Sequence, residues 1–290
     1  MRGREQRLVA ATDFSRDAGY ACRRAALLAA EHRAQLELLH VVGKAALDTL
    51  RQAFRTKPAR VADLLDDLRR ALARTGAALA KQTGASIASR VEIGAVQDVI
   101  AAQCGRADLL VVGAHGTNPL RDAILGTTAE RLLGTCRRPV LVVKRPPEHA
   151  YARALVAMDF SAPAKSALRA ALRLAPGAAF TAVHAYDLPF EGKLRLAGVE
   201  DETIDAYRFH AARKAAAAIR ALGEKSGIHL AHAVYWGHPP VLILEKERAL
   251  RSDLIVLGKA QRSVAKELFL GSVSRHVLAD CRGDVLVVPG

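Results

Sequence analysis

Two glycine-containing segments in the first half of the chain have residue types and a spacing that suit the binding of an anion. Gly113-Ala114-His115-Gly116 follows directly behind the apolar run 108–112, and nine residues separate it from Gly126-Thr127-Thr128. Glycines let the main chain approach a bulky ligand closely. A helix that begins near Gly126 would present free N–H groups to a negative charge. The pattern therefore predicts a nucleotide phosphate site.

The same residues allow other roles. Thr127-x-x-Glu130 matches a capping box that only starts a helix, a role that phosphate binding does not exclude. Asp13, in the segment Asp13-Phe14-Ser15, could accept a hydrogen bond from an adenine amino group or help to hold a metal carried by the phosphates. It could also cap the following helix together with Ser15. These alternatives stay open at the level of sequence.

The chain contains a long internal duplication. An offset of about 145 residues aligns 136–143 with 281–288, and 8–15 is matched by 154–161. The glycine motif also recurs, as Gly258 and then Gly271-Ser272-Val273. Because Pro146-Pro147 interrupts any regular element between the copies, we expect two domains, 1–146 and 147–290, joined at this linker.

Strand and helix patterns alternate along each copy. In the first copy we predict strands at 7–12, 35–42, 86–93, 108–113 and 139–144, and helices at 15–33, 58–83, 95–104 and 126–135. In the second copy the strands are predicted at 153–158, 179–185, 228–235, 253–258 and 284–288. The expected fold is α/β, with two tandem doubly wound, Rossmann-like domains that each have a five-stranded, mainly parallel sheet. The weakly periodic segments 43–57 and 187–203 are expected to be mobile loops.

The strand order decides whether the candidate residues meet. In an open α/β sheet a ligand lies outside the carboxyl ends of the strands, where the strand order reverses. Asp13 follows the first strand and Gly113 ends the fourth, so a reversal between these strands would bring both to one crevice. His40 and His184 end the second strand of each copy and are expected to be partly buried histidines with satisfied hydrogen bonds.

Composition excludes several classes of protein. The net charge is +14, but the basic residues follow exposed helical faces and aromatic residues are scarce, which predicts a solvated basic surface rather than specific nucleic-acid binding. The four cysteines form no CxxC pair and are expected to be reduced thiols. No apolar run reaches the roughly 20 residues of a membrane span, and no signal-peptide core is present. We therefore expect a soluble, cytoplasmic protein.

Signatures of common catalytic sites are missing from the sequence. It has no Gly-x4-Gly-Lys-Ser/Thr loop, no Gly-x-Ser-x-Gly elbow and no His-Glu-x-x-His. An adenylyl-transferring enzyme would need a further basic or histidine signature, which His115 and Arg121 do not form. No catalytic residue is predicted, and ATP hydrolysis is expected to be slow at most.

The combined motif resembles the universal stress protein family over the whole chain, as a tandem of two such domains. It consists of the glycine spacing, the early Asp-Phe-Ser segment and the closing Pro-Val-Leu-Val-Val strand. The resemblance implies a five-stranded parallel sheet flanked by helices, with bound ATP. It assigns Asp13 and Val41 to adenine, Gly113 and Gly116 to the ribose and phosphates, and Gly126, Thr127 and Thr128 to the phosphates.

The second copy departs from this pattern. Asp159, Gly258, Gly271, Ser272 and Val273 stand at the equivalent positions and are weaker candidates for nucleotide contacts. Gln261 replaces the second loop glycine, and Ala185 stands where the first copy has Val41. Because a side chain at a close-approach position obstructs a ligand, we expect weak nucleotide binding or none in this copy.

Together with this resemblance, the sequence observations predict an ATP-binding stress-response protein, in which the nucleotide is bound with or without Mg²⁺. Occupancy of the N-terminal domain would modulate its conformation or its binding to an unidentified protein partner. The alternative is an adaptor that acts by protein association without nucleotide. The apolar segments 139–143 and 285–288 are exposed strand edges of a kind that pair, within one chain or in a homodimer.

Overall fold

A computed structural model describes residues 6–53, 59–116, 125–186, 196–259 and 271–290. The chain divides into two compact units. The first contains residues 6–150 together with Asp284–Pro289, and the second contains 151–259, Gly271–Gly283 and Gly290. Gln261, Arg121 and most of the expected loop 187–203 lie outside the described residues.

The first unit alternates strands and helices as predicted. Its elements are β1 (Arg7–Ala11), α1 (Arg16–His32), β2 (Gln35–Gly43), α2 (Lys44–Ala53), α3 (Ala59–Thr83), β3 (Ser86–Gly94), α4 (Val96–Arg106), β4 (Leu109–Gly113), α5 (Thr127–Thr135) and β5 (Val140–Val143). The prediction of a loop at 43–57 is wrong for the described residues 43–53, because Gly43 ends β2 and Lys44–Ala53 form α2. Leu47 of this helix is buried in a cluster with Val42 and Val61, and this packing stabilises the helix.

The sheet of the first unit has the order β3-β2-β1-β4-β5, and each neighbouring pair is parallel. A sixth strand, β10 (Asp284–Pro289), pairs antiparallel with β5, with Leu286 opposite Leu141. The two closing apolar strands therefore pair, as predicted. The central strands are apolar and buried because helices cover both faces of a parallel sheet.

The second unit repeats the pattern. Its elements are β6 (Arg153–Ala157), α6 (Ala162–Leu174), β7 (Ala179–Tyr186), α7 (Asp201–Ser226), β8 (Ala231–Trp236), α8 (Pro239–Leu250), β9 (Leu254–Lys259) and α9 (Ser272–Asp280). Its strands run parallel in the order β9-β6-β7-β8. Helix α7 begins inside the segment that we expected to be a loop.

The duplication extends to local backbone geometry. Ser15 and Ser161 are the N-caps of α1 and α6, and each side-chain oxygen accepts a hydrogen bond from the backbone N–H three residues later, at 3.3 Å. Phe14 and Phe160 precede these caps, both in the left-handed region at φ 62°. A bulky residue rarely adopts this conformation, so its occurrence at two equivalent positions marks a common turn.

The four cysteines are free and buried. Burial raises the pKa of the Cys22 thiol to about 12. A hydrogen bond with the Cys136 side chain lowers the pKa of Cys104.

Within the described part of the chain, no helix combines the length and the apolarity that crossing a membrane requires.

Candidate functional site

The strand order of the first unit reverses between β1 and β4, which are neighbours in the sheet. Asp13 and Gly113 therefore meet at one edge, as predicted. A cavity of about 260 Å³ opens there. It is lined by Ala11, Thr12, Asp13, Ala18, Leu39, Val41, Val96, Ile100, Val112, Gly113, Ala114, His115, Gly116, Gly126, Thr127, Thr128 and Ala129. All seven residues predicted for the first-copy site line this single cavity.

Part of the cavity wall is aliphatic. Leu39 and Val41 line it from β2, and Val96 and Ile100 line it from the first turns of α4. The sequence predicted Val41 but missed Val96 and Ile100. Their spacing of four residues, on a helix that starts at the carboxyl end of β3, is the signal that could have revealed them. An aliphatic wall of this kind suits the flat face of a heterocycle.

The beginning of α5 supplies hydrogen-bond donors to the cavity. Gly126 is the N-cap residue, and it makes no side-chain capping bond. The capping-box interpretation of Thr127 and Glu130 is therefore wrong, because a capping box needs threonine at the N-cap and Thr127 is already inside the helix. Because glycine has no side chain, the N-cap residue itself caps none of the backbone N–H groups of the first turn.

The loop Gly113–Gly116 is hydrogen-bonded to the N-cap residues of two neighbouring helices, α5 and α1. The Gly126 N–H donates to the Ala114 carbonyl at 2.8 Å, and the Ser15 hydroxyl donates to the His115 carbonyl at 3.3 Å. A Cβ atom on Gly116 would lie 2.8 Å from Asp13 Oδ2, so the loop passes close beside this carboxylate. Asp13, Gly116 and the start of α5 thus form one continuous wall.

Asp13 does not cap α1. Its Oδ1 accepts a hydrogen bond from the Ser15 N–H at 3.0 Å, whereas the Ser15 side chain performs the capping. The capping role predicted as an alternative therefore belongs to Ser15. Asp13 instead stabilises the turn before the helix and lines the cavity.

The equivalent histidines of the two copies are structural, as predicted. His40 Nδ1 donates to the Thr12 carbonyl at 2.8 Å, and its ring lies 4.7 Å from the Phe14 ring. His184 repeats both contacts with Met158 and Phe160. Each histidine supports the left-handed phenylalanine of its own copy.

His115 has a partner that the sequence did not reveal. Its Nδ1 lies 2.9 Å from Oδ2 of Asp17, which is in the first turn of α1. The two residues are far apart in sequence, and their contact depends on the β1 to β4 adjacency. No short-range pattern could have indicated it.

The second-copy candidates keep part of this geometry. Gly271 is the N-cap of α9, which begins at Ser272 and includes Val273, and as a glycine it provides no capping side chain. Asp159 is exposed, and its Oδ1 accepts hydrogen bonds from the backbone and hydroxyl of Ser161. A Cβ on Gly258 would lie 2.5 Å from Ala164 N, so this glycine is needed for packing against α6.

Comparison with known proteins agrees with this architecture. The sequence model described as the universal stress protein family matches residues 5–144 and again residues 150–289. The chain belongs to the universal stress protein family. Both copies of the duplication are therefore domains of this stress-response family, which confirms the resemblance drawn from the motifs.

Among curated relatives, universal stress protein E of Escherichia coli K12 is 30% identical over 207 residues, which are 67% of this chain and 63% of that protein. The protein of the same name from Salmonella typhi matches equally well. The match thus spans less than two thirds of these relatives.

Solved structures share the fold over nearly the whole chain. A universal stress protein from Archaeoglobus fulgidus DSM 4304 has a TM-score of 0.68 at 18% identity and covers 98% of both chains. A functionally unknown protein from Pseudomonas aeruginosa PAO1 has a TM-score of 0.64 at 21% identity, covering 98% of this chain and 92% of its own. At these identities the likeness establishes the fold.

Proposed function

We propose that the first unit of this universal stress protein binds ATP in the cavity at the β1 to β4 reversal. The observation that carries the proposal is the chemical division of the cavity wall. Aliphatic side chains from β2 and α4 form one part, and the uncapped start of α5 forms another. An adenine ring suits the first part and a chain of phosphates suits the second.

The phosphates would be held mainly by the main chain. The N–H groups at the start of α5, the positive end of its helix dipole and the hydroxyls of Thr127 and Thr128 all favour negative charge. Gly116 would let the ribose and phosphates approach the main chain, and Asp13 and Val41 would contact the base. Mg²⁺ would be brought by the phosphates, as their counter-ion.

Bound nucleotide would act by joining the elements that surround the cavity. Nucleotide would connect the ends of β1, β2 and β4 with the first turns of α4 and α5, all of which line the cavity. We propose that this change alters the binding of a protein partner in the cytoplasm. Hydrolysis would be slow at most, because the sequence carries none of the common catalytic signatures.

Mass spectrometry of the purified native chain, followed by calorimetric titration with ATP, tests the proposal. We expect co-purified ATP, or one tight site per chain, with adenosine binding more weakly because it lacks phosphates. Two equivalent tight sites would contradict the expected difference between the copies. A chain that neither carries nor binds ATP would overturn the proposal and favour the adaptor alternative.

Gln261→Gly provides a matched variant for the second copy. If Gln261 is the obstacle, its removal should raise the binding stoichiometry, whereas Gly116→Gln should abolish the tight first-copy site. Unchanged stoichiometry in Gln261→Gly would mean that other departures, such as Ala185, prevent binding.

A further inference from the structure

His115 lies in the cavity wall with one ring nitrogen already engaged. Its Nδ1 is 2.9 Å from Asp17 Oδ2, and the side chains of His115 and Asp17 are 36% and 9% exposed. Because a carboxylate only accepts hydrogen bonds, Nδ1 carries a proton in this contact. The contact orients the ring and leaves Nε2 as its remaining polar atom.

One neighbour of His115, the N-terminus of α5, favours an anion. The His115 Cα would lie 3.5 Å from a Cβ on Gly126, so the residue is beside the N-terminus of α5. Among the described residues, charged groups nearby on other elements include Asp13, before α1, and Arg16, whose Nε is 3.5 Å from Asp17 Oδ1. The Arg16 side chain is 81% exposed and extends into solvent.

These charges relate protonation of the ring to occupancy of the site. The Asp17 carboxylate contacts the ring at Nδ1, and the positive end of the α5 dipole lies beside the same residue. Bound phosphates would favour the imidazolium form, because an anion stabilises it and Nε2 then also donates. Binding of phosphates and uptake of a proton by His115 therefore favour each other.

We propose that His115 is a phosphate ligand that binds as an imidazolium, with Asp17 as its positioning residue. The proposal rests on the proposed ATP binding and names the part of the nucleotide that is sensed, which is the charged phosphate chain rather than the nucleoside. Since the occupied site holds more protons than the empty one, affinity for ATP rises as pH falls through the range in which histidine titrates.

The test measures the Kd of ATP and of adenosine at pH 6 and pH 8 by calorimetry. For the unmodified chain we expect ATP to bind about tenfold more tightly at pH 6, with little change for adenosine. His115→Gln should bind ATP with nearly the same affinity at both values, close to that of the unmodified chain at pH 8. The exposed His149→Gln, outside the cavity, should keep the full pH dependence.

Asp17→Asn tests the positioning role. The ring remains but loses its carboxylate partner, so we expect a reduced pH dependence in a variant whose circular dichroism is unchanged.

If His115→Gln binds ATP with the pH dependence of the unmodified chain, or loses affinity equally at both pH values, the proposal is wrong while ATP binding stands. If the unmodified chain binds no ATP at either pH, both proposals fail.

Discussion

Gly113 and Gly116 belong to one sequence motif, yet they meet different physical demands. A Cβ on Gly113 would lie 2.6 Å from the carbonyl carbon of Asp17, in the backbone of α1, whereas one on Gly116 would meet the Asp13 carboxylate. Gly113 is therefore needed for close packing between β4 and α1. Of these two glycines, Gly116 borders the cavity without a close backbone neighbour. The sequence motif alone could not distinguish the packing role from the ligand-binding role.

A pair of alanine substitutions tests the packing role. In Gly113→Ala the added methyl group forces α1 to move, and we expect the free energy of unfolding to fall by about 1–3 kcal/mol. Gly105 is exposed in α4, and a methyl group added there would meet no atom of the described residues within 4 Å beyond its own helix turn. Gly105→Ala should raise the free energy of unfolding by up to about 1 kcal/mol. Urea denaturation of both variants gives the comparison, and equal effects would contradict the packing argument.

At the scale of elements, the start of α5 is the feature on which nucleotide binding depends. Gly126 has φ −61° and ψ 141°, a conformation open to any residue, so Gly126→Val should fold. Its Cβ would lie 3.3 Å from the Ala114 carbonyl oxygen, and its methyl groups would crowd the N–H groups of the first turn. We expect the Kd for ATP to rise at least about tenfold, which is about 1.4 kcal/mol.

Gly271→Val is the matched control for this element. Gly271 is the equivalent N-cap in the second unit, and no atom of the described residues lies within 4 Å of its Cβ position. The tight ATP site should keep its affinity in this variant. Unchanged ATP binding in a folded Gly126→Val protein would instead place the nucleotide somewhere else.

The elements themselves were largely predictable because their patterns are local. The apolar runs of β1, β4 and β5 and the amphipathic periodicity of the long helix α3 can each be recognised within one short segment of the sequence. Helix α2 was missed because, among its described side chains, Leu47 alone joins the buried cluster with Val42 and Val61, which is too weak a pattern to recognise. The capping assignment at Thr127 failed for a different reason: a shift of one residue decides which side chain is the N-cap.

The long-range contacts of the site could not be predicted in the same way. The meeting of Asp13 with Gly116 followed from a general rule on strand order. The pairing of His115 with Asp17 depends instead on the rotamers and the burial of these two side chains. Sequence patterns therefore located the site but not the finer arrangement inside it.

At the scale of the whole molecule, the last strand of the chain completes the first unit. Strand β10 extends that unit's sheet beside β5, and a buried ion pair connects it to α1. Arg24 Nε lies 3.3 Å from Asp284 Oδ2, with side chains that are 6% and 1% exposed. Arg24 also donates to the His149 carbonyl, and Asp284 Oδ1 accepts from the Lys144 N–H.

Removal of one partner should be costly because the other charge stays buried. We expect Arg24→Met to lower the free energy of unfolding by about 3–5 kcal/mol. The double variant with Asp284→Asn should recover part of this loss, since asparagine can still accept from Lys144 without a charge. Arg69→Met breaks an exposed pair with Asp66 and should cost less than about 1 kcal/mol. Denaturant titration of all four proteins is the measurement, and equal losses for Arg24→Met and Arg69→Met would contradict this account.

The pairing of β5 with β10 also has a consequence for biosynthesis. Roughly 140 residues separate the two strands, and a ribosome adding about 5–20 residues per second needs on the order of 10 s to make them. During that interval the nascent first unit has an apolar sheet edge that still lacks its neighbour, which is a hazard for aggregation. Folding of the N-terminal half is thus finished only when the final strand emerges from the exit tunnel.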